Sequence, residues 1–334
     1  MFSKIVLALA LMAGAANASS PAFVQWMKEH SKTYESAEEH RLRFSVWSNN
    51  LELVEAHNDE FARGRQTFDL AMNKFADLTN AEYQTLMTRP KTTRFADNSA
   101  TFTNASAGLP DTLDWRETPN VVNDVKDQGQ CGSCWSFSAV AAMEGSYNAK
   151  TGTLNSFSEQ ELVDCTNGGK YTCNLGGEMS DGIEYIASDM NGYIMTEAAY
   201  PYTAKSCSIL QNCCTAEAGQ GVATGITGFT AVATGDEDAL KTAANIAVVS
   251  VGIDASATSF QLYNSGVYAP AGCSSTQLDH GVAVVGYNTM TEGGDYWIVR
   301  NSWGSSWGQD GYIYMARNDD NKCGIATDAA TADI

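Results

Sequence analysis

The stretch Cys131-Gly132-Ser133-Cys134-Trp135 decides how this chain of 334 residues is interpreted. Its second cysteine opens an apolar run that continues to Met143 and has the composition of a buried helix. A thiol at the first position of a helix lies at the positive end of the helix dipole, which lowers its pKa. Nine cysteines cannot all pair with one another, so at least one must remain a thiol. These observations favour a reactive thiolate at Cys134 over a disulfide.

A reactive thiolate needs a base and a group that orients the base, and candidates for both lie downstream. Of the four histidines, only His280 follows Cys134, at a distance of 146 residues. Asn301 lies 167 residues after Cys134, directly after a β-rich run. A neutral amide can accept a hydrogen bond from an imidazole N–H and so fix its tautomer. Gln128, six residues before Cys134, is a candidate donor to an oxyanion formed beside the thiol.

The cysteine stretch, with His and Asn far downstream, resembles the signature around the reactive cysteine of papain-like, cathepsin-type cysteine proteases. Asn301-Ser302-Trp303-Gly304 is also typical of that family. The resemblance implies a cysteine endopeptidase with Cys134 as nucleophile, His280 as base and acid, Asn301 as orienting group and Gln128 as oxyanion donor. It implies no cofactor and no metal. The alternative is a catalytically inactive homologue that only binds partners, but such a protein typically lacks one of these side chains.

The same resemblance implies a set of substrate contacts. Gly176 and Gly177 match a Cys-Asn-Gly-Gly run of the family, into which this chain inserts Leu175. The other implied substrate-binding positions are Met179, Gly252, Leu278, Asp279, Gly281, Trp303 and Asp328. Asp328 would form the floor of the pocket for the P2 side chain, unless it is a solvated residue near an acidic C-terminus. A carboxylate there favours a cation, so we expect Arg at P2 to be accepted beside Leu and Phe.

Disulfide pairing is also implied by the resemblance, which joins Cys131 to Cys173 and Cys273 to Cys323. Cys165 is expected to pair within residues 207–214, which hold three cysteines. Counting forward from Tyr200 favours Cys207, and counting back from Gly228 favours Cys213 or Cys214, so the pairing stays open here. A fourth bridge inside that stretch is a further alternative. Metal binding by these cysteines is disfavoured by their spacing and by the small number of histidines.

The N-terminus has the form of a secretory signal peptide. Lys4 precedes an apolar run from Ile5 to Ala16, and Ala16-Asn17-Ala18 has the small-x-small form of a cleavage site. The run is shorter than the roughly 18 apolar residues that a membrane span needs. Residues 1–18 are therefore predicted to be a signal peptide that directs the protein into the secretory pathway, to a lysosome or vacuole or outside the cell. Most cysteines are then expected to be oxidised.

Residues 19–108 are predicted to form an inhibitory pro-segment. A helical stripe is formed by Glu39, Arg43, Trp47, Asn50, Val54 and Asn58. A second group, expected to be extended, is formed by Ala71, Asn73, Phe75 and Asp77. Both resemble the propeptide motifs of the papain family.

Residues 88–108 are predicted to be an exposed linker that contains the sequon at Asn104 and is cut to release the pro-segment. Protonation of the pro-segment's carboxylates, with Asp77 foremost, is expected to weaken pairs that Arg41 and Arg43 make and so to cause release in acid.

Residues 109–334 are predicted to form the peptidase domain. Helices are predicted for Cys134–Lys150, for a segment capped by Ser158 with Glu161 in the capping box, and for Met179–Ser188. Strands are predicted for Ala247–Ile253, Gly281–Tyr287, Tyr296–Arg300 and Gly311–Ala316. Helices followed by strands indicate an α+β class. The resemblance implies a papain-like two-lobe fold, with a helical left lobe, a β-barrel-like right lobe and a cleft between them.

The charge distribution limits the classes of partner that the protein is expected to bind. The chain carries a net charge of −19, and 27 acidic but only 9 basic residues follow residue 107. Such acidity argues against nucleic acid and anionic membranes. The expected partners are protein and peptide substrates, the chain's own propeptide as inhibitor, and cystatin-type inhibitors, with the enzyme acting as a monomer.

Overall fold

The computed structural model describes residues 20–87, 101–102, 108–206 and 213–334. The predicted signal peptide, most of the predicted linker with Asn104, and Cys207 lie outside these residues. Helices span Pro21–Glu29, Ala37–Ala62, Asn80–Met87, Cys134–Thr151, Glu159–Cys165, Met179–Glu184, Glu237–Ala244 and Thr258–Gln261. The strands are β1 (Phe68–Leu70), β2 (Thr101–Phe102), β3 (Leu113–Asp114), β4 (Tyr193–Ile194), β5 (Val222–Ala223), β6 (Gly228–Val232), β7 (Val249–Ile253), β8 (Tyr263–Tyr268), β9 (His280–Met290), β10 (Gly294–Arg300), β11 (Tyr312–Ala316) and β12 (Asp328–Asp333).

The predicted N-terminal stripe lies on one long helix, Ala37–Ala62, whose first turn is capped by the Ser36 hydroxyl. Its polar members reach the chain that follows the helix. Asn50 donates to the carbonyls of Ala76 and Leu78 at 2.8 and 3.1 Å, and Asn58 donates to Leu70 at 2.8 Å. The long helix therefore holds residues 70–78 in place by bonds to their backbone.

The prediction of an extended segment at Ala71–Asp77 is wrong for its second half, because the chain forms a turn there. The Asn73 side chain accepts a hydrogen bond from the backbone N–H of Phe75, and the N–H of Ala76 donates to the Asn73 carbonyl. Asn commonly stabilises a turn in this way. The turn directs Phe75 towards the peptidase domain and leaves only Phe68–Leu70 as a strand.

The helical lobe is built around the central helix, Cys134–Thr151, which confirms the predicted helix to within one residue at its end. It ends at Gly152, whose positive φ of 68° provides the left-handed conformation that commonly terminates helices. The helices Glu159–Cys165 and Met179–Glu184 pack against it, and Ser158 caps the first of them by accepting from Glu161 N–H at 3.0 Å. The helical prediction that reached Ser188 continues as a π-helical turn at Tyr185–Asp189. Side chains of these elements form one apolar core.

The strand lobe is a sheet with the order β1-β8-β11-β10-β9-β7-β12-β6-β2, and β3 pairs with β9. The four predicted strands correspond to β7, β9, β10 and β11, with ends that differ by up to three residues. The central helix packs on β7 and β9, so its first residue meets the start of β9 between the lobes. This arrangement confirms the predicted α+β, two-lobe papain-like class with a helical pro-segment ahead of it.

Part of the predicted exposed linker is a strand, because Thr101–Phe102 pairs in parallel with Ala231 and Val232 of β6. Phe102 is half-buried and packs against the main apolar core, which explains why the chain is held there. No helix within the described ranges is both long and apolar enough for a transmembrane span.

Candidate active site

Cys134 is the first residue of the central helix, is fully buried and takes part in no disulfide. The chain of β9 passes directly over this first turn. A Cβ atom added at Gly281 would lie 3.1 Å from both the Cys134 carbonyl oxygen and the Trp135 Cα, so a side chain there would have to push the helix start away by a few tenths of an ångström. His280 is the residue immediately before Gly281 and begins β9. The structure thus brings the predicted thiol and the predicted imidazole to the junction of the lobes.

The imidazole of His280 is oriented by Asn301. Its Nε2 lies 2.8 Å from Asn301 Oδ1, and both side chains are buried. The backbone N–H of Ser302 also donates to Oδ1 at 2.8 Å, which identifies that atom as the oxygen of the amide. Because an amide oxygen only accepts, Nε2 must carry a proton and donate it. Nδ1 is therefore the nitrogen through which the ring can exchange a proton with a thiol.

Trp303 covers the His280–Asn301 pair. Its ring lies over the imidazole with centroids 4.7 Å apart and planes inclined by 30°, and the indole is fully buried. Screening by water weakens hydrogen bonds, so this cover strengthens the bond between imidazole and amide.

Gln128 is fully buried, and its side-chain amide is held at both ends. Its Oε1 accepts from the Ser302 hydroxyl at 2.6 Å and from the Trp303 indole N–H at 3.1 Å. Its Nε2 donates to the Cys131 carbonyl at 2.8 Å. The two donors on Oε1 fix the amide with its nitrogen towards the cysteine stretch. This is the orientation that a donor to a reaction at Cys134 requires.

The predicted P2 positions Gly252, Leu278 and Asp328 come together. Asp328 pairs with Gly252 across β12 and β7, and a Cβ on Gly252 would lie 3.2 Å from Leu278 Cδ1 and 3.4 Å from Asp328 Oδ2. Met179 is buried at the start of its helix in the opposite lobe. Asp279 is buried, and its Oδ1 accepts from the Ala255 backbone N–H at 2.8 Å, so this carboxylate supports the loop after β7.

The inserted Leu175 lies at the surface, directly before two buried glycines. Its side chain is 61% exposed, while Gly176 and Gly177 are buried. A Cβ on Gly177 would lie 2.6 Å from the Trp135 ring, so the backbone there packs directly on the aromatic side chain. The inserted residue therefore lies in a surface turn and leaves the packing of Gly177 on Trp135 intact.

Two of the expected disulfides are present. Cys131–Cys173 lies beside the Cys134 thiol in sequence, and Cys273–Cys323 lies in the strand lobe. Cys165 bonds to Cys214, so the count that favoured Cys207 as its partner is wrong. The Tyr200 hydroxyl donates to the carbonyl of Cys213 at 2.9 Å, which anchors this return of the chain beside Cys165. Residue counting cannot detect such an anchor. Cys213 is itself disulfide-bonded.

A buried ionic cluster behind the site was not expected from the sequence. Lys126 contacts Glu159 at 2.6 Å and Glu144 at 3.3 Å, and Arg300 lies 3.8 Å from Glu144. Burial raises the pKa of Glu159, although Lys126 donates to it. The cluster joins the central helix to β10, whose next residue is Asn301. Its sequence signal was Glu144, the only acidic residue in a helix whose first half is largely apolar.

The N-terminal segment docks on the strand side of the site. The Phe75 ring packs edge-on against Trp303 at 5.3 Å, and the Tyr83 hydroxyl donates to the Ala255 carbonyl at 2.7 Å. Asn73 donates to the Gln261 carbonyl at 2.9 Å. The residues that follow this segment, 88–100, lie outside the described chain.

Comparison with known proteins defines the class. Residues 109–332 match the papain family of cysteine proteases, and residues 23–83 match the cathepsin propeptide inhibitor domain. The chain belongs to the papain family and is a cysteine endopeptidase. It is a cathepsin L-like member that carries its own inhibitory propeptide and acts on peptide substrates.

Individual relatives are similar to this protein over nearly the whole chain. The chain is 45% identical over 329 residues to digestive cysteine proteinase 1 of Homarus americanus, covering 97% of this chain and 98% of that one. It is 41% identical over 315 residues to human cathepsin L2, covering 93% and 91%. The structure of digestive procathepsin L 3 from the larval midgut of Tenebrio molitor superposes with a TM-score of 0.83 at 37% identity, covering 94% and 98%.

Proposed function

We propose that Cys134, His280, Asn301 and Gln128 carry out peptide-bond hydrolysis in the mature enzyme. The observation that supports this most is the His280–Asn301 hydrogen bond, which leaves Nδ1 to hold the Cys134 proton. An imidazolium beside a thiol at a helix N-terminus stabilises the thiolate by two electrostatic effects of the same sign.

In the proposed reaction the Cys134 thiolate attacks the scissile carbonyl carbon. The oxyanion accepts hydrogen bonds from the Cys134 backbone N–H and from the second N–H of Gln128 Nε2. His280 then gives its Nδ1 proton to the leaving amine, and a thioester remains on Cys134. His280 takes a proton from water as the water oxygen attacks the thioester carbon, the C–S bond breaks, and the acid product leaves with the Cys134 thiolate and the protonated His280 restored.

Thiol titration tests this assignment. An epoxide inhibitor should consume one equivalent per mature enzyme and abolish hydrolysis in parallel, with Cys134 as the modified residue in mass spectrometry. Cys134→Ala should lower kcat/KM by at least about 10⁴ because the covalent route is lost. Hydrolysis by purified Cys134→Ala enzyme at a rate within tenfold of native would contradict the proposal.

We propose that Asp328 favours Arg at P2, in addition to Leu and Phe. Asp328 is buried beside Gly252 and Leu278. The low dielectric there strengthens the attraction between its carboxylate and a cationic P2 side chain. Profiling with P2-varied fluorogenic peptides tests it, with Asp328→Ala as the variant. The Arg-to-Leu ratio of kcat/KM should fall about tenfold or more, since hydrogen bonds to charged groups contribute about 1.5–3 kcal/mol. Equal Leu preference in both enzymes would rule it out.

We propose that acid releases the propeptide and that Asp77 is one of the groups involved. Asp77 is buried and accepts from Lys32 at 2.8 Å and from the Tyr34 hydroxyl at 2.9 Å. Arg43 donates to the Asp77 carbonyl at 3.1 Å, whereas Arg41 is exposed. An Asp77→Ala zymogen should activate at a higher pH than the native one, and an unchanged activation profile would rule out Asp77 as a switch.

We also propose the maturation scheme. Residues 1–18 direct secretion, residues 19–108 are removed, and residues 109–334 act as a monomer in a lysosome, vacuole or digestive fluid, where cystatin-type inhibitors bind the cleft. The digestive relatives and the acidic peptidase domain support this scheme. N-terminal sequencing and size-exclusion chromatography with light scattering on the acid-activated protein test it. A first residue far from Leu109, or a dimer, would contradict it.

A further inference from the structure

The propeptide strand β1 covers one edge of the large sheet. Phe68 pairs with Gly266 and Asp69 with Ser265 of β8, whose other side pairs in parallel with β11. When the propeptide is removed, β8 therefore becomes an edge strand with unpaired backbone groups. Such an edge is a template for pairing with another extended chain.

The β8 edge has three donors that bind the carboxylate of Asp69. The Ser265 backbone N–H and hydroxyl donate to Oδ1 at 2.8 and 2.6 Å, and Asn264 Nδ2 donates to Oδ2 at 2.9 Å. All three donors belong to the peptidase domain and stay with the mature enzyme. Both carboxylate oxygens are satisfied by neutral groups, so the site distinguishes Asp from its amide by hydrogen-bond pattern and charge.

The same edge is shaped for a strand backbone and an aromatic side chain. Gly266 has a φ of +87°, and a Cβ added there would lie 2.4 Å from the Thr67 carbonyl oxygen and 2.8 Å from the Phe68 Cα. Only glycine admits the incoming backbone at this distance. The Phe68 ring is buried and packs edge-on against Tyr268 at 4.8 Å. Tyr268 also remains after maturation.

We propose that the β8 edge of the mature enzyme is a second peptide-binding site. The site binds an extended aromatic-Asp-aliphatic segment of a protein substrate as an added strand. Asn264 and Ser265 recognise the Asp by hydrogen bonds to its carboxylate. This inference rests on the proposed function, because it requires removal of the propeptide and cleavage in the neighbouring cleft.

The position of the edge explains what such binding achieves. Phe75, which packs against Trp303 over the catalytic pair, follows Phe68 by seven residues. Seven residues span at most about 25 Å, so a substrate held at β8 has its next residues within reach of the cleft. Tethering raises the effective concentration of that part of the substrate at the thiol.

Peptide binding tests the site directly. The mature enzyme, prepared by activating the full chain and then blocking its thiol with an epoxide, is titrated with a fluorescent peptide of residues 66–72. The peptide should bind, and its Asp69→Asn form should bind about tenfold more weakly. Enzyme carrying Asn264→Asp should reverse this preference through like-charge repulsion, whereas Asn288→Asp, with the same net charge, should retain it. Equal affinity for both peptides would overturn the proposal.

Cleavage tests its consequence. Two protein substrates share a cleavage sequence preceded by an eight-residue flexible linker and by either Phe-Asp-Leu or Phe-Asn-Leu. The ratio of their kcat/KM values should be several-fold in native enzyme and near one in Asn264→Asp enzyme. A ratio near one in native enzyme would overturn the proposal.

The two proposals fail separately. A dipeptide substrate that reaches only the cleft, together with thiol titration, reports on Cys134 regardless of β8. The peptide titration uses thiol-blocked enzyme and reports on β8 regardless of catalysis.

Discussion

Trp303 stands between two regions that are stabilised in different ways. On one side the indole covers His280 and donates to Gln128, within a network of hydrogen bonds between buried side chains of the peptidase domain. On the other side it meets Phe75 and Tyr83 of the propeptide through edge-on ring contacts. The catalytic side needs a fixed geometry before and after activation. The propeptide side must bind tightly in the zymogen and then dissociate. Hydrogen bonds between buried side chains suit the first requirement. Ring contacts, together with side-chain hydrogen bonds to the peptidase backbone such as those of Asn73 and Tyr83, suit the second because they belong to a removable chain.

Among substitutions around Trp303, the largest effect is expected on the catalytic side, from Gln128→Ala. It removes the proposed oxyanion donor, and loss of such a donor typically costs about 10²–10³ in kcat. Steady-state kinetics of the mature enzyme measure it. Gln130→Ala, two residues away and exposed, is the matched control and should stay within about twofold of native. A fall in kcat/KM of less than tenfold for Gln128→Ala would contradict its proposed role.

The next effect is expected on the propeptide side, from Phe75→Ala. Truncation of a buried Phe typically costs about 3–5 kcal/mol, so the isolated propeptide should inhibit at least about 100-fold more weakly. Phe61→Ala at the end of the long helix is the control, because that ring is 37% exposed. Inhibition constants of the two variant propeptides against native mature enzyme decide the matter. Similar constants would show that the ring contact with Trp303 adds little.

A substitution at the boundary should affect both regions. Trp303→Phe removes the indole N–H that donates to Gln128 and shrinks the surface that Phe75 packs on. We expect kcat/KM to fall by about tenfold, and propeptide inhibition to weaken by a similar factor, since each loses one buried contact of about 1–2 kcal/mol. If one quantity changes and the other does not, the two regions are not coupled through Trp303.

The smallest effect is expected within the propeptide, at Glu82. Partial burial opposes ionisation, but hydrogen bonds from Thr79 and the Arg43 guanidinium hold the pKa of Glu82 below its usual value of 4.5. A carboxyl with a lowered folded pKa stabilises the fold above about pH 4.5, and this contribution is lost as pH falls through the folded pKa.

Glu82→Gln should therefore shift the activation midpoint to higher pH by less than one unit and flatten its dependence on pH. Glu38→Gln, at an exposed position on the long helix, is the control. Activation followed with a dipeptide substrate across pH 3–6 measures the shift. An activation curve that coincides with the native one would remove Glu82 from the release mechanism.

Local chemistry explains what could be predicted from the sequence. The apolar run after Cys134 determined the central helix, and the Ser158 cap determined the start of the next one, because both signals act within a turn of helix. The turn at Asn73–Asp77 was missed because a side-chain hydrogen bond there competes with the alternating pattern. The Cys165–Cys214 bridge and the Lys126 cluster depend on chain segments far apart in sequence, which spacing does not reveal. The β8 edge likewise becomes visible only when β1 lies against it.

The central claim is that the Cys134 sulfur is ionised in the resting mature enzyme because of the imidazolium of His280. The most direct measurement is the rate constant for alkylation of Cys134 by iodoacetamide from pH 3 to 10. We predict rapid alkylation already near pH 5 in native enzyme, and in His280→Ala enzyme a rate that rises only towards the ordinary thiol range near pH 8.5. A native profile that rises only near pH 8.5 would contradict the account.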